Sequence, residues 1–134
     1  ADIILANMKK DDRSTVKVSA DQYFEDENGN YKWDGKLMGE AHVDCMRRFL
    51  NAVKEDNIDI VAVANTNTMN WEYSPSNSVA LAVGYEVRII HLDVDPEIAF
   101  ERQTHNVPKE HHNRMYSRFQ PGLPQHKKIT RIQR

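Results

Sequence analysis

Long apolar runs are missing from this chain: none approaches the ~20 residues that a bilayer-spanning helix needs, so no membrane segment is expected. Neither sign of charge dominates. Eighteen Lys and Arg against 20 Asp and Glu give a net charge of −2, which removes any bulk electrostatic case for binding nucleic acid or membrane. The single cysteine, Cys45, excludes an intrachain disulfide and fits a reducing, cytoplasmic setting. Glycines are few: Gly29, Gly35, Gly39, Gly84 and Gly122, none followed by Lys-Ser or Lys-Thr. A glycine-rich loop of the kind that cradles nucleotide phosphates is therefore absent. His105, His111 and His112 come without a cysteine or an acid–histidine set at ligand spacing, so no metal site is expected.

What is present is a polar chain of 134 residues, 28% charged, with a mean hydropathy of −0.72, long enough for one core. Ile4, Leu5 and Met8 followed by Lys9 and Lys10 predict an opening amphipathic helix with cations at its end. Thr15 to Ser19 is short, β-branched and strand-like. Asn28-Gly29 between aromatics predicts a tight turn. A calcium loop is a poor fit to the same stretch, since its sixth and twelfth positions would be Tyr31 and Leu37.

Met38, Ala41, Cys45, Phe49, Ala52 and Val53 recur at helical spacing between Leu37 and about Glu55. Ile58 to Ala64 is nearly continuous and apolar, the pattern of a parallel strand buried on both faces. A helix is expected from Trp71 to Val83, ending at Gly84, and a strand from Tyr85 to Leu92. Asp95-Pro96-Glu97 starts a helix through Arg102, and Pro108 and Glu110 start another to about Phe119. The tail, with Lys127, Lys128, Arg131 and Arg134, reads as an irregular basic arm over 121–134.

Strands alternating with helices predict a three-layer α/β domain with a mainly parallel sheet. In such sheets the working residues lie just past the carboxyl ends of the strands, where Ser19-Ala20-Asp21 and Asn65-Thr66-Asn67-Thr68 fall.

Taken together, the runs Val18-Ser19-Ala20-Asp21-Gln22-Tyr23-Phe24, Asp26 to Trp33, Asn65 to Thr68, Gly84 to Val87 and Arg102 to Pro108 resemble the polynucleotide kinase / zeta-toxin-like branch of P-loop kinases. The resemblance covers residues 1–120. It implies a P-loop kinase-like domain whose first strand and Walker A loop are absent from the chain, through truncation or loss. The absent strand would lie between those expected at 58–64 and 85–92, and its removal would leave two rows of unpaired backbone groups.

The resemblance also implies an ATP- and Mg²⁺-dependent phosphotransferase acting on a hydroxyl of a polynucleotide 5′ end or a nucleotide, inactive without the loop. Asp21 stands where such kinases carry the carboxylate that takes the acceptor's proton, and a turn cap is the plainer reading of it. Ser19 either joins the site or only bonds the turn. Asn65, Thr66 and Asn67 stand where relatives position substrate or phosphate; an Asx-type turn is the alternative, and neither Ala64 nor Asn65 supplies the carboxylate many relatives carry. Arg102 matches the lid arginine, and Arg114 and Arg118 follow on the next helix.

Phe24 replaces the arginine that phage-type kinases use to contact nucleic acid, leaving base stacking as its route to the acceptor. Two other functions remain open: a non-catalytic module that binds nucleic acid or protein, and a small-molecule kinase whose pocket Trp71 and Tyr73 close.

Overall fold

A computed structural model describes residues 2–8, 12–104, 106–120 and 129–133, with the side chains of Ile3, Asp93 and 129–133 set aside. The chain is α/β with parallel strand pairing. It divides into two compact units, Ala1–Thr66 and Asn67–Arg134. The strands form two separate two-stranded sheets, so the expected α/β character and parallel pairing are present without one continuous sheet among the described residues.

The first unit runs through helix α1 (Asp2–Met8), strand β1 (Thr15–Val18), helix α2 (Met38–Leu50) and strand β2 (Ile60–Val63). Leu5 buries the apolar side of α1; the expected Lys9 and Lys10 lie outside the described residues. β1 and β2 pair in parallel, Thr15 opposite Ile60 and Val18 opposite Val63. Polar clasps hold both ends of this pair. At the start, Ser14 N and Oγ donate to Asp59 Oδ2 at 2.8 and 3.1 Å while Asp59 N donates to Ser14 Oγ at 2.9 Å. At the far end, Ala64 N donates to Val18 O at 2.9 Å.

Ala41, Cys45, Phe49, Ala52 and Val53 on one side of α2 and the π-turn that follows it are all buried, as their spacing requires. Asn57 then takes a left-handed conformation, φ 49°, which asparagine tolerates well. β2 is only half-buried along its length, short of the two-sided burial its apolar run predicts. Among the described residues it pairs with β1 alone.

The second unit contains α3 (Asn70–Ala82), β3 (Ile89–Asp93), α4 (Pro96–Arg102), α5 (Lys109–Ser117) and β4 (Ile129–Gln133). β3 and β4 pair in parallel from Ile89 opposite Ile129 to Asp93 opposite Gln133. Residues 129–133 are thus a strand, where the sequence predicts an irregular arm. α3 ends as expected at Gly84, φ 94°, with Tyr85 N bonded to Ala80 O and Gly84 N to Leu81 O, a Schellman cap. That cap takes the Tyr85 N–H, and β3 starts at Ile89 instead of the expected Tyr85. Asp95 caps α4 through Glu97 N at 2.9 Å with Pro96 at the first helical position. No helix among the described residues is long and apolar enough to cross a membrane.

Candidate functional site

β1 stops at Val18 and the chain turns at once into a 3-10 turn, Ala20–Phe24. Ser19 causes this turn locally. Its hydroxyl accepts from Asp21 N at 3.2 Å and its own N–H donates to Gln22 Oε1 at 2.9 Å, a reciprocal capping box. Ser19 is buried and its hydroxyl is engaged as a cap.

Asn65, just past β2, holds the same turn from the other strand. Its Oδ1 accepts Ala20 N at 2.9 Å, and its Nδ2 donates toward Cys45 Sγ at 3.5 Å. The side-chain oxygen therefore satisfies backbone at the mouth of the site. Burial, opposed by that Asn65 bond, pushes the Cys45 thiol above its usual value.

This frame leaves Asp21 exposed beyond the carboxyl end of the strand. Its Oδ1 accepts the Tyr31 hydroxyl at 3.2 Å. Tyr31 reaches it because the 25–31 segment folds back on itself. Asp26 Oδ1 accepts Asn28 N and Asn30 N, both at 2.8 Å, and Gly29 adopts φ 79° between them. The Asn30 side-chain amide, donating through Nδ2 to Asp26 Oδ2 at 3.0 Å, and then the backbone bonds from Asn30 and Asn28 hold the Asp26 carboxyl below the ordinary aspartate value. Burial first, and then the charge of Asp21, raise the Tyr31 phenol to about 12.

Phe24 is buried, its ring edge-to-face with Tyr23 at 5.5 Å and with Tyr31 at 6.1 Å. It is a core residue, which corrects the expectation that it could stack on a base. The Tyr23 hydroxyl donates to Glu40 Oε2 at 2.7 Å, tying the same turn to α2.

Ser19, Asp21 and Asn65 thus come together within the first unit, with Thr66 exposed at its end. Asn67, Arg102 and Arg114 belong to the second. Asn67 turns the chain with φ 45°. Arg102 is exposed in the last turn of α4, and Arg114 is exposed on α5. Arg118 donates through Nε to Thr68 Oγ1 at 3.2 Å, so its guanidinium is engaged in holding the 68–72 turn. Thr68 in turn donates N and Oγ1 to the Glu72 carboxylate at 3.1 and 3.2 Å. Trp71 is exposed and Tyr73 bonds Asn70 Oδ1 at 2.7 Å.

The 103–107 loop after α4 is tied by Gln103. Its Nε2 donates to Val107 O at 2.9 Å, its Oε1 accepts Val107 N, and His112 Nε2 lies 3.3 Å from the same oxygen. His105 lies outside the described residues. Among the described residues no group of three or more His, Cys, Asp and Glu side chains could hold a metal ion. The residue that sequence reasoning passed over is Tyr31, read there only as an aromatic flanking a turn.

No family model matches the chain. It is similar to NEDD4-binding protein 2 of Homo sapiens, with 33% identity over 119 residues, 84% of this chain. The chain spans about 6% of the length of that relative.

Proposed function

We propose that these residues form the body of a P-loop kinase-like domain of the polynucleotide kinase / zeta-toxin-like branch. Its reaction moves the γ-phosphate of ATP to a hydroxyl on a polynucleotide 5′ end or a nucleotide. The observation that carries this reading is the placement of Asp21: an exposed carboxylate at the carboxyl end of a parallel strand, on a turn fixed from both strands. An acceptor hydroxyl beside it loses its proton to the carboxylate as its oxygen attacks phosphorus, and ADP departs.

The strand pairing supports the same reading, since β1–β2 and β3–β4 are both parallel and separate. Arg102 fits the role of a lid cation, being exposed at the end of a short helix before a tied loop.

The donors needed for nucleotide phosphates are not in this chain. No glycine precedes Lys-Ser or Lys-Thr, and no described cluster suits a metal. ATP and Mg²⁺ enter the proposal through the resemblance alone. A second reading, a kinase-derived module that binds protein, draws on the name of the human relative and on exposed Trp71, Leu81, Leu92 and Tyr116 in the second unit.

Transfer of labelled γ-phosphate by the full-length gene product, offered 5′-hydroxyl oligonucleotide, nucleoside and small-molecule acceptors in parallel, tests the reading. Labelling of the oligonucleotide or nucleoside is the expected result. Absence of transfer to every acceptor favours the binding module.

A further inference from the structure

A lone aspartate on an exposed turn samples several side-chain rotamers, and a proton acceptor is useful only when its oxygen is already aimed. Asp21 escapes that disorder through Tyr31. Four features of the 24–32 segment set the phenol in place. Glu25 and Tyr31 form an antiparallel bridge, and Lys32 N donates to Phe24 O at 3.0 Å. Asp26 N donates to Asn30 O at 3.0 Å. The Tyr31 ring is half-buried and meets buried Phe24 at an interplanar angle of 74°.

The hydroxyl then lies 3.2 Å from Asp21 Oδ1. With its phenol raised to about 12, Tyr31 keeps its proton at neutral pH and can only donate to the carboxylate. Among the described residues Asp21 Oδ2 has no hydrogen-bond partner. One oxygen is fastened and the other is left without a partner on an exposed residue.

We propose that Tyr31 is a positioning residue: by donating to Asp21 Oδ1 it fixes the carboxylate so that Oδ2 faces the acceptor hydroxyl. This role rests on the phosphotransfer reading above. It extends the working site from the strand end to the Asn28-Gly29 hairpin, which otherwise has only a turn's duty. It also gives that hairpin a reason for its tight polar bracing, because a shift of the Tyr31 ring moves the base.

The test compares Tyr31→Phe, Asp21→Asn and the double variant in the full-length gene product, with kcat and KM measured separately for nucleotide and acceptor. Phe keeps the ring against Phe24, so the fold is preserved. Tyr31→Phe is expected to lower kcat about tenfold with both KM values unchanged, and Asp21→Asn by on the order of 10²–10⁴-fold. The double variant should be no slower than Asp21→Asn alone, because Tyr31 acts only through Asp21; a merely structural tyrosine would add its own loss.

Wild-type kcat in Tyr31→Phe, or a further fall in the double variant, overturns the positioning role while leaving Asp21 as the base. Full turnover in Asp21→Asn removes the phosphotransfer reading and the positioning role together. In parallel, the ¹³Cζ resonance of Tyr31 should move on Asp21→Asn substitution, and an unmoved resonance overturns the contact itself.

Discussion

The two units of this chain differ in how many of their described apolar side chains are buried. In the first, nine apolar side chains are buried among the described residues: Leu5, Val18, Ala20, Phe24, Ala41, Cys45, Phe49, Ala52 and Val53. In the second, among the described residues, only Ala80 joins them. The described part of the second unit carries polar and ring contacts as well: Thr68 with Glu72 and Arg118, Gln103 with Val107, and Lys109 with Glu97 at 3.0 Å. His91 stacks on Phe119 with centroids 4.5 Å apart.

The difference matters because apolar burial supplies most of the stability of a small fold, whereas an exposed ion pair such as Lys109–Glu97 supplies little. The proposed base, Asp21, lies in the first unit and the proposed lid arginine, Arg102, in the second.

Truncating the core should expose the contrast most strongly. Phe49→Ala in the first unit is expected to cost about 3–5 kcal/mol, whereas Leu81→Ala, exposed in the second, should stay within about 0.5 kcal/mol. Urea titrations can follow each unit by its own tryptophan, since Trp33 lies in the first and Trp71 in the second. Single-tryptophan variants Trp33→Phe and Trp71→Phe leave one probe each. Equal losses for the two truncations would break the comparison.

Removing the clasps sharpens it at a smaller scale. Asn65→Ala strands the Ala20 N–H and should cost on the order of 1–3 kcal/mol, read by Trp33. Thr68→Val loses the hydroxyl between Glu72 and Arg118, about 1 kcal/mol, read by Trp71. An Asn65→Ala loss seen only through Trp71 would show that the units are not separable in this way.

Acid should act first on the first unit. Backbone and side-chain bonds from Ser14 hold Asp59 below its ordinary value of 3.8, and those from Asn30 do the same for Asp26. A carboxyl lowered in the folded chain stabilises it above the unfolded value, and that contribution fades as pH falls through the folded value. Loss of first-unit stability is therefore expected to begin near pH 3.8 and grow below it, with Asp59→Asn blunting the effect in an acid titration of Trp33 fluorescence.

The raised Tyr31 phenol works in the opposite direction. Its contribution is intact below the ordinary value of 10.0 and is lost as pH climbs toward about 12. Tyr31→Phe should flatten that alkaline decline, a difference smaller than any of the substitutions above.

Where structure followed from adjacent residues, the sequence was legible. Asp95-Pro96-Glu97 names its own cap, and Gly84 marks the end of α3 by the one backbone conformation it reaches cheaply. The Asn28-Gly29 turn and the buried side of α2 follow from spacing alone.

What was not legible depends on remote partners. Ile129 to Gln133 reads as charged tail until β3 offers its edge, because a short strand is specified by what it pairs with. Phe24 looked available to a ligand because nothing local shows that Tyr23 and Tyr31 close over it. Asn65 illustrates both cases: its place at a strand end was readable, but its bond to Ala20 N, 45 residues away, was not.

In the proposed reaction Asp21 receives the acceptor's proton. Single-turnover transfer of labelled γ-phosphate to a 5′-hydroxyl oligonucleotide, by wild-type and Asp21→Asn full-length protein at equal nucleotide occupancy, tests it most directly. Transfer by the wild type is expected, with a rate on the order of 10²–10⁴-fold lower for Asp21→Asn and nucleotide affinity retained. Equal transfer rates for the two proteins would contradict it.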